Sequence, residues 1–329
     1  MNRRTLHCAP HTFPIRGVFR ISRGSKTQAE AVIVQITEGD VTGRGECIPY
    51  ARYGETVQGV SAQIASVADA VRDGLDLQGL QTLLPPGSAR NALDCALWDL
   101  RSKISGHAVS SFAGLKAPLS PVTTAFTLSL DSPSAMAEIA RANSHLPLLK
   151  LKLGGDGDLE RVRAVRQAAP RSRLMADANE SWTPDHLRLY LPEFAALGVE
   201  LLEQPLPADA DDALIGYASP VPLAADESCL DLKSIADIRD KYAFANIKLD
   251  KTGGLTEALA LADAARAAGM KVMVGCMVAS SLSMAPGIVL AQEADVVHLD
   301  GPLLLAEDQE PALRYEGATL FPDARVWSI

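Results

Sequence analysis

Leu148-Leu-Lys-Leu-Lys-Leu153, Leu174-Met-Ala-Asp177, Val199-Glu-Leu-Leu-Glu203 and Leu223-Ala-Ala-Asp226 are four short apolar runs, and the last three close on a carboxylate. Strand-like ends at Lys152, Asp177, Glu203 and Asp226 are followed by others near Lys248, Gly275 and Asp300, at steps of 25, 26, 23, 22, 27 and 25 residues. Each step holds one strand and one covering helix. Thr183-Pro184 reads as N-cap and first position of a helix reaching toward Gly198, and the Ala/Leu-rich residues 255–268 are followed by Gly269 at C′. With an earlier strand over residues 122–130 there are eight parallel candidates. That number favours a (β/α) barrel over an open doubly wound sheet. No Gly-x-Gly-x-x-Gly follows a strand to support the dinucleotide-binding alternative.

The first 118 residues have another rhythm. Residues 16–46 read as strands, with residues 29–37 rich in β-branched side chains and Glu38-Gly-Asp40 as a turn. Helical patterns follow over residues 61–73, with Gly74 past the end, and over residues 88–105, with Gly106 beyond. Leu83-Leu-Pro-Pro-Gly87 separates them as a loop. Strands followed by helices indicate an α+β domain of its own.

Composition narrows the function classes. The chain of 329 residues is 47% apolar, enough to bury two domains' cores. A formal charge of −9 with 5% aromatics argues against nucleic-acid grooves and anionic membrane surfaces. No apolar run approaches the ~20 residues of a bilayer span, and the basic N-terminus lacks the apolar core of a secretory signal. Cys8, Cys47, Cys95, Cys229 and Cys276 are scattered and odd in number, without Cys-x-x-Cys spacing. That usage suits a reducing cytoplasm and neither a disulfide frame nor a zinc site.

The chemistry follows from strand periodicity. Lys150 and Lys152 share one face of their strand while Leu149, Leu151 and Leu153 share the other. An edge strand in solvent would explain two lysines alone. Asp177, Glu203 and Asp226, closing three successive strands, argue instead for a barrel mouth where all five side chains converge. Three carboxylates without thiol or imidazole partners suit a hard cation, Mg²⁺ first. Glu180 and Glu227 read as supporting or capping neighbours. In Phe244-Ala-Asn-Ile-Lys-Leu-Asp-Lys-Thr-Gly-Gly254, alternation turns Asn246, Lys248 and Asp250 inward. Lys152 and Lys248 then flank the carboxylates from opposite sides. Burial and the Lys150 charge are expected to lower them from ~10.4 toward a useful base.

These motifs, with Arg90-Asn-Ala-Leu-Asp-Cys-Ala-Leu-Trp-Asp99, Asp177-Ala-Asn-Glu-Ser-Trp182, Leu202-Glu-Gln-Pro-Leu-Pro207, Ala225-Asp-Glu-Ser-Cys229, Gly275-Cys-Met277 and Leu299-Asp-Gly-Pro302, resemble the enolase superfamily in its muconate-lactonising subgroup. The chain looks most like the dipeptide epimerases within it. The resemblance implies a (β/α)7β-type TIM barrel over residues 119–302, capped by residues 1–118 together with the tail from about residue 303 to 329. It implies one Mg²⁺ per subunit on Asp177, Glu203 and Asp226, Lys152 and Lys248 as acid and base, and Lys150 assisting. The substrate would be a dipeptide, epimerised through an enediolate in cytoplasmic murein peptide metabolism; a homo-oligomer is compatible with the family.

Cap loops at residues 22–25 and 49–54 would cover the substrate, with Arg23, or Lys26 in competition, meeting a glutamyl carboxylate. Thr127, Cys276, Met277, His298 and Asp300 would line the site. Rival reactions of the subgroup are o-succinylbenzoate synthesis, cycloisomerisation and N-acyl amino acid racemisation. A sugar-acid dehydratase fits less well because Lys248 stands where such enzymes use a His/Asp base, and a non-catalytic barrel would not need every one of these groups. One departure stands out. Where dipeptide epimerases usually carry Asp-x-Asp to hold the substrate ammonium, this chain has His298-Leu-Asp300. A neutral imidazole supplies no negative charge, so altered recognition of the N-terminal residue is expected. The alternative is that Asp300 alone suffices, with His298 as a packed neighbour.

Overall fold

The computed structural model describes residues 3–329. An antiparallel sheet of Thr5–Ile21, Gly24–Glu38 and Val41–Cys47 opens the chain. Alternation puts Val32, Val34 and Ile36 on one face, where they pack against Val60, Ile64, Leu93, Ala96, Leu97 and Leu100. The helix Ser88–Ser105 lies so close to this sheet that a Cβ on Gly45 would stand 2.1 Å from Ala92 O. The helix read over residues 61–73 begins earlier, at Val57, because the Thr56 hydroxyl accepts from Gly59 N; a break at Val67 divides it into Val57–Ser66 and Ala68–Arg72.

Eight parallel strands then follow in sequential neighbour order: Phe126–Leu128, Leu148–Lys152, Arg173–Asp177, Val199–Glu203, Leu223–Ala225, Phe244–Ile247, Lys271–Val274 and Val296–Val297. The curled sheet is bridged between its ends by Ala125 N donating to Val297 O (2.9 Å) and Leu299 N donating to Thr124 Oγ1 (2.7 Å). Helices cover the connections, except that the one between Glu203 and Leu223 carries only the 3-10 turn Asp212–Leu214 among the described residues. The single strand expected over residues 122–130 is instead two pieces. Val122–Thr123 pairs antiparallel with Thr319–Phe321, and only Phe126–Leu128 joins the barrel. Thr124 makes the break by turning its hydroxyl to Leu299 N. The last strand is shorter than read, ending at Val297 before His298.

Inside the barrel, side chains stack in two layers. Ala125, Leu148, Met175, Leu201, Ala224, Phe244 and Met273 form an apolar floor. Two residues further along the same strands stand Thr127, Lys150, Asp177, Glu203, Asp226, Asn246 and Gly275. The period of two thus carries each chain from apolar packing straight to a polar layer at the C-terminal mouth.

The N-terminal domain sits on that mouth through buried polar contacts. Asp250 does not face the barrel interior as alternation suggested, because the strand ends at Ile247 and a short helix, Leu249–Thr252, begins. Its Oδ1 accepts from Ile48 N (3.0 Å) and Asn91 Nδ2 (2.9 Å). Arg90 Nη2 donates to Thr252 O (2.6 Å), and Glu46 Oε1 accepts from Ser280 N (2.9 Å). At the chain's end, Trp327 Nε1 donates to Arg44 O (3.1 Å) and Cys95 O (3.2 Å).

Burial pushes the Glu46 carboxyl up to about 7, against the opposing Ser280 hydrogen bonds. A carboxyl raised on folding binds its proton more tightly in the native state. The protein therefore loses stability as pH rises from the unfolded value of ~4.3 through 7. Glu46→Gln mimics the protonated form. Its melting temperature should match the parent's at pH 4 and exceed it above pH 7, where the gap in unfolding free energy reaches on the order of 3 kcal/mol. Parallel curves across this range, in paired thermal melts, would show that Glu46 does not titrate on folding.

Candidate active site

Asp177, Glu203 and Asp226 offer one oxygen each, all within 4.8 Å of one another and buried. The strand register that aligns Asp177 with Glu203 brings them level. Ammonium groups surround them. Lys152 Nζ lies 2.6 Å from Asp177 Oδ2, Lys150 Nζ 2.5 Å from Glu203 Oε2 and 3.1 Å from Asp177 Oδ2, and Lys248 Nζ 2.6 Å from Asp226 Oδ2. Lys152 and Lys248 are separated in the sheet by the three carboxylate strands, and both line one cavity of about 440 Å³ between the barrel mouth and the N-terminal domain. Lys150 is fully buried beneath it.

Further residues hold this cluster in place. Lys251, which sequence reasoning passed over, donates to Asp226 Oδ1 (2.6 Å) and Asn246 O (3.0 Å). Asn246 Nδ2 donates to Glu203 Oε1 (2.8 Å). Gln204 Oε1 accepts from Asp226 N (2.9 Å) while its Nε2 donates to Leu206 O and the Tyr242 hydroxyl. Asn179, Glu180 and Gln204 adopt left-handed backbone at φ of 44°, 66° and 35°, directly after two of the carboxylate strands. Strain of this kind persists only where surroundings enforce it. The only sequence signal for these roles is position: Gln204 follows Glu203, and Lys251 lies three residues after Lys248.

Charge balance reverses one expectation. Burial alone would lower Lys150 and Lys248, yet Glu203 and Asp177 raise the first, and Asp226 with Glu203 raises the second well above its ordinary value. Three carboxylates at hydrogen-bond distance outweigh desolvation and the repulsion between lysines. Against its own burial, Asp226 is held well below the carboxylate range by Lys248 and Lys251, and Asp177 is held down by Lys152 and Lys150. Glu203 goes the other way, raised by burial and by Asp177.

The donor set fits a hard divalent cation. All three groups are oxygens, and Glu203 Oε2 receives no well-directed hydrogen bond despite its nearness to Lys150.

The cavity rim comes from the N-terminal domain. Arg23 does not project freely into it. Its guanidinium donates to Glu227 Oε1 (2.6 Å), Asn179 O (2.9 Å) and Glu180 Oε2 (3.1 Å), while Arg52 donates to Glu180 (2.7 Å). Glu180 and Glu227 thus tie the two cap loops to the barrel. Lys26 also lines the cavity, its Nζ 5.1 Å from the centre of the Tyr50 ring. Thr127, Cys276, Met277, His298 and Asp300 all line the same cavity.

Residues 3–114 match the N-terminal domain family of mandelate racemase / muconate lactonizing enzyme, and residues 134–323 match the enolase C-terminal domain-like family. L-Ala-D/L-Glu epimerase of Escherichia coli K12 is 43% identical over 95% of this chain and 98% of its own. N-acetyl-D-glutamate racemase of a Pseudoalteromonas species is 42% identical over 88% and 92%. An Agrobacterium tumefaciens enolase family member with homology to dipeptide epimerases, crystallised with sodium and L-Ala-L-Glu, superposes with a TM-score of 0.97 at 48% identity, covering 98% of this chain and 99% of that one. A dipeptide epimerase of Enterococcus faecalis V583, complexed with Mg and L-Leu-L-Tyr, gives 0.90 at 26% identity over 98% of each chain.

Replacing Glu203 with Gln should weaken Mg²⁺ binding by more than the ~10–100-fold typical of losing an outer-sphere partner. Asn246→Ala, which removes only a donor to Glu203, should fall within that range. Calorimetric titration of both variants checks the ranking, and equal affinities for Glu203→Gln and the parent would remove Glu203 from the ligand set.

Proposed function

This chain belongs to the mandelate racemase/muconate lactonizing enzyme family of the enolase superfamily, and from that premise we propose that it is a Mg²⁺-dependent dipeptide epimerase. It inverts the α-carbon of the C-terminal residue of substrates such as L-Ala-L-Glu. The observation that carries this reading is that Lys152 and Lys248 line one cavity from opposite sides of the three carboxylate strands.

Asp177, Glu203 and Asp226 would hold the ion. When bound, Mg²⁺ offsets their charge and stabilises the second negative charge that the substrate carboxylate acquires as its α-proton leaves. Lys152 serves one face of the α-carbon and Lys248 the other. One, as the neutral amine, removes the proton, and the opposite ammonium delivers another. Inversion runs in either direction because the two roles exchange. The pair is held for this task by its carboxylate anchors, Asp177 Oδ2 for Lys152 and Asp226 Oδ2 for Lys248. Lys150 supplies fixed positive charge from below.

At the rim, where Arg52 is paired with Glu180, Arg23 or Lys26 would meet a glutamyl side chain. Arg23 would share its guanidinium with Glu227 and Glu180. We take residues 1–118 and the tail from about 303 to 329 as the cap, and residues 119–302 as the catalytic barrel. We assign the reaction to cytoplasmic murein peptide metabolism, the setting that the likeness to L-Ala-D/L-Glu epimerase implies. No helix among the described residues is long and apolar enough to cross a membrane.

Incubation with Mg²⁺ in D₂O tests the reaction class. L-Ala-L-Glu should exchange its glutamyl α-hydrogen and epimerise; an alkene product would instead indicate elimination. Lys152→Ala and Lys248→Ala should each abolish net epimerisation, while each still exchanges the proton of a single epimer. Parent-rate epimerisation by Lys248→Ala would refute the two-base scheme.

A further inference from the structure

One end of the cavity is walled by Thr127, Cys276, Met277, His298 and Asp300. His298 is wedged there between opposite charges. Its Nδ1 lies 3.2 Å from Lys150 Nζ, and its Nε2 lies 2.8 Å from Thr127 Oγ1 and 2.9 Å from Asp300 Oδ1. An ammonium offers donors only, so Nδ1 is the accepting nitrogen and Nε2 carries the proton. The ring is therefore neutral and aims an N–H at the Thr127–Asp300 pair. Burial first, then Lys150, keep it uncharged, pushing His298 down to about 4. The other carboxylate oxygen, Asp300 Oδ2, accepts from Thr127 N at 2.7 Å.

Both oxygens of Asp300 thus already face protein N–H groups. A free ammonium entering here would exchange water for one carboxylate that is already hydrogen-bonded, beside an imidazole N–H that offers it no acceptor. A neutral amide has far less hydration to lose. Its N–H can share Asp300, and an acyl methyl group meets the apolar wall of Met277, Val278 and Leu304.

We propose that His298 decides substrate choice at the amino end of this cavity and widens the substrate class from free dipeptides to Nα-acylated amino acids such as N-acetylglutamate. This rests on the reading of the cavity as an α-carbon epimerisation site. Replacing the imidazole by a carboxylate would add the second negative charge that an ammonium needs.

The test measures α-hydrogen exchange in D₂O with Mg²⁺ for L-Ala-L-Glu and N-acetyl-L-glutamate, in the parent, His298→Asp and His298→Gln. The parent should exchange both, with kcat/KM values within about tenfold of each other. His298→Asp should shift that ratio toward the free dipeptide by about tenfold or more, chiefly through KM, as expected for a hydrogen bond to a charged group. His298→Gln keeps a neutral donor and should keep the parent's ranking. Should His298→Asp fail to fold, the parent's ratio and that of His298→Gln decide. A parent that exchanges the dipeptide but not N-acetylglutamate overturns the inference and leaves the epimerase reading standing, as does an unchanged ranking in His298→Asp. A parent that exchanges neither substrate overturns the epimerase reading, and the inference falls with it.

Discussion

Four ammonium groups and three carboxylates share one barrel mouth, nearly all of them withdrawn from water, and each is tolerable only because the others are there. Isolated, any one of them would carry a desolvation penalty of several kcal/mol. Together they form one run of contacts at 2.5 to 3.1 Å from Lys152 through Asp177, Lys150 and Glu203 and a second with Lys248 and Lys251 both on Asp226, the two joined by Lys248 at 4.0 Å from Glu203 Oε1. Such a set demands strict register. A slip of one residue in any carboxylate strand would send its acid to the helix shell and bring an apolar neighbour inward. The pairing of Lys152 with Asp177 and of Asp177 with Glu203 is therefore a constraint on the whole barrel.

The same crowding explains local oddities. Gly275 sits where a side chain would be expected in the polar layer, because an added Cβ would stand 2.5 Å from Asn246 Oδ1 and 2.9 Å from Lys248 Cε. Any larger residue would displace the lysine. The left-handed residues after Asp177 and Glu203 turn the chain sharply enough for backbone N–H groups to reach neighbouring acids, as Asn179 N does with Asp177 Oδ1 at 2.9 Å. Helical or extended backbone there would carry the loop away from the mouth.

What could be read from the sequence is what strand periodicity controls. The three acids, Lys150, Lys152 and Lys248 follow from where apolar runs stop, and helix ends at Thr183, Gly106 and Gly269 follow from capping chemistry. Asp250 escaped that logic because its strand had ended three residues earlier, so alternation no longer governed it. The raised lysines escaped it because their state depends on the sum of charges from four separate strands. Lys251 and the Arg23–Glu227 contact were likewise illegible: each joins segments far apart in the chain, and neither obeys a local pattern. The pairing of His298 with Asp300 was legible in outline, but the lysine that fixes its tautomer was not.

Asp250, Thr252 and Gly253 bind the N-terminal domain through Ile48, Asn91 and Arg90, only a few residues beyond Lys248 on the same segment. The N-terminal domain that rims the cavity and the segment that carries Lys248 are thus fastened together through one short piece of backbone. Swapping one lid for another, whether by recombination in evolution or by design in the laboratory, cannot be done by matching loop lengths alone. The incoming lid must bring a helix with Arg90 and Asn91 equivalents that seat this segment, or the new specificity will arrive with a misaligned lysine. Change by point substitution within the existing loops avoids that coupling, which makes it the easier route by which such a scaffold acquires new substrates.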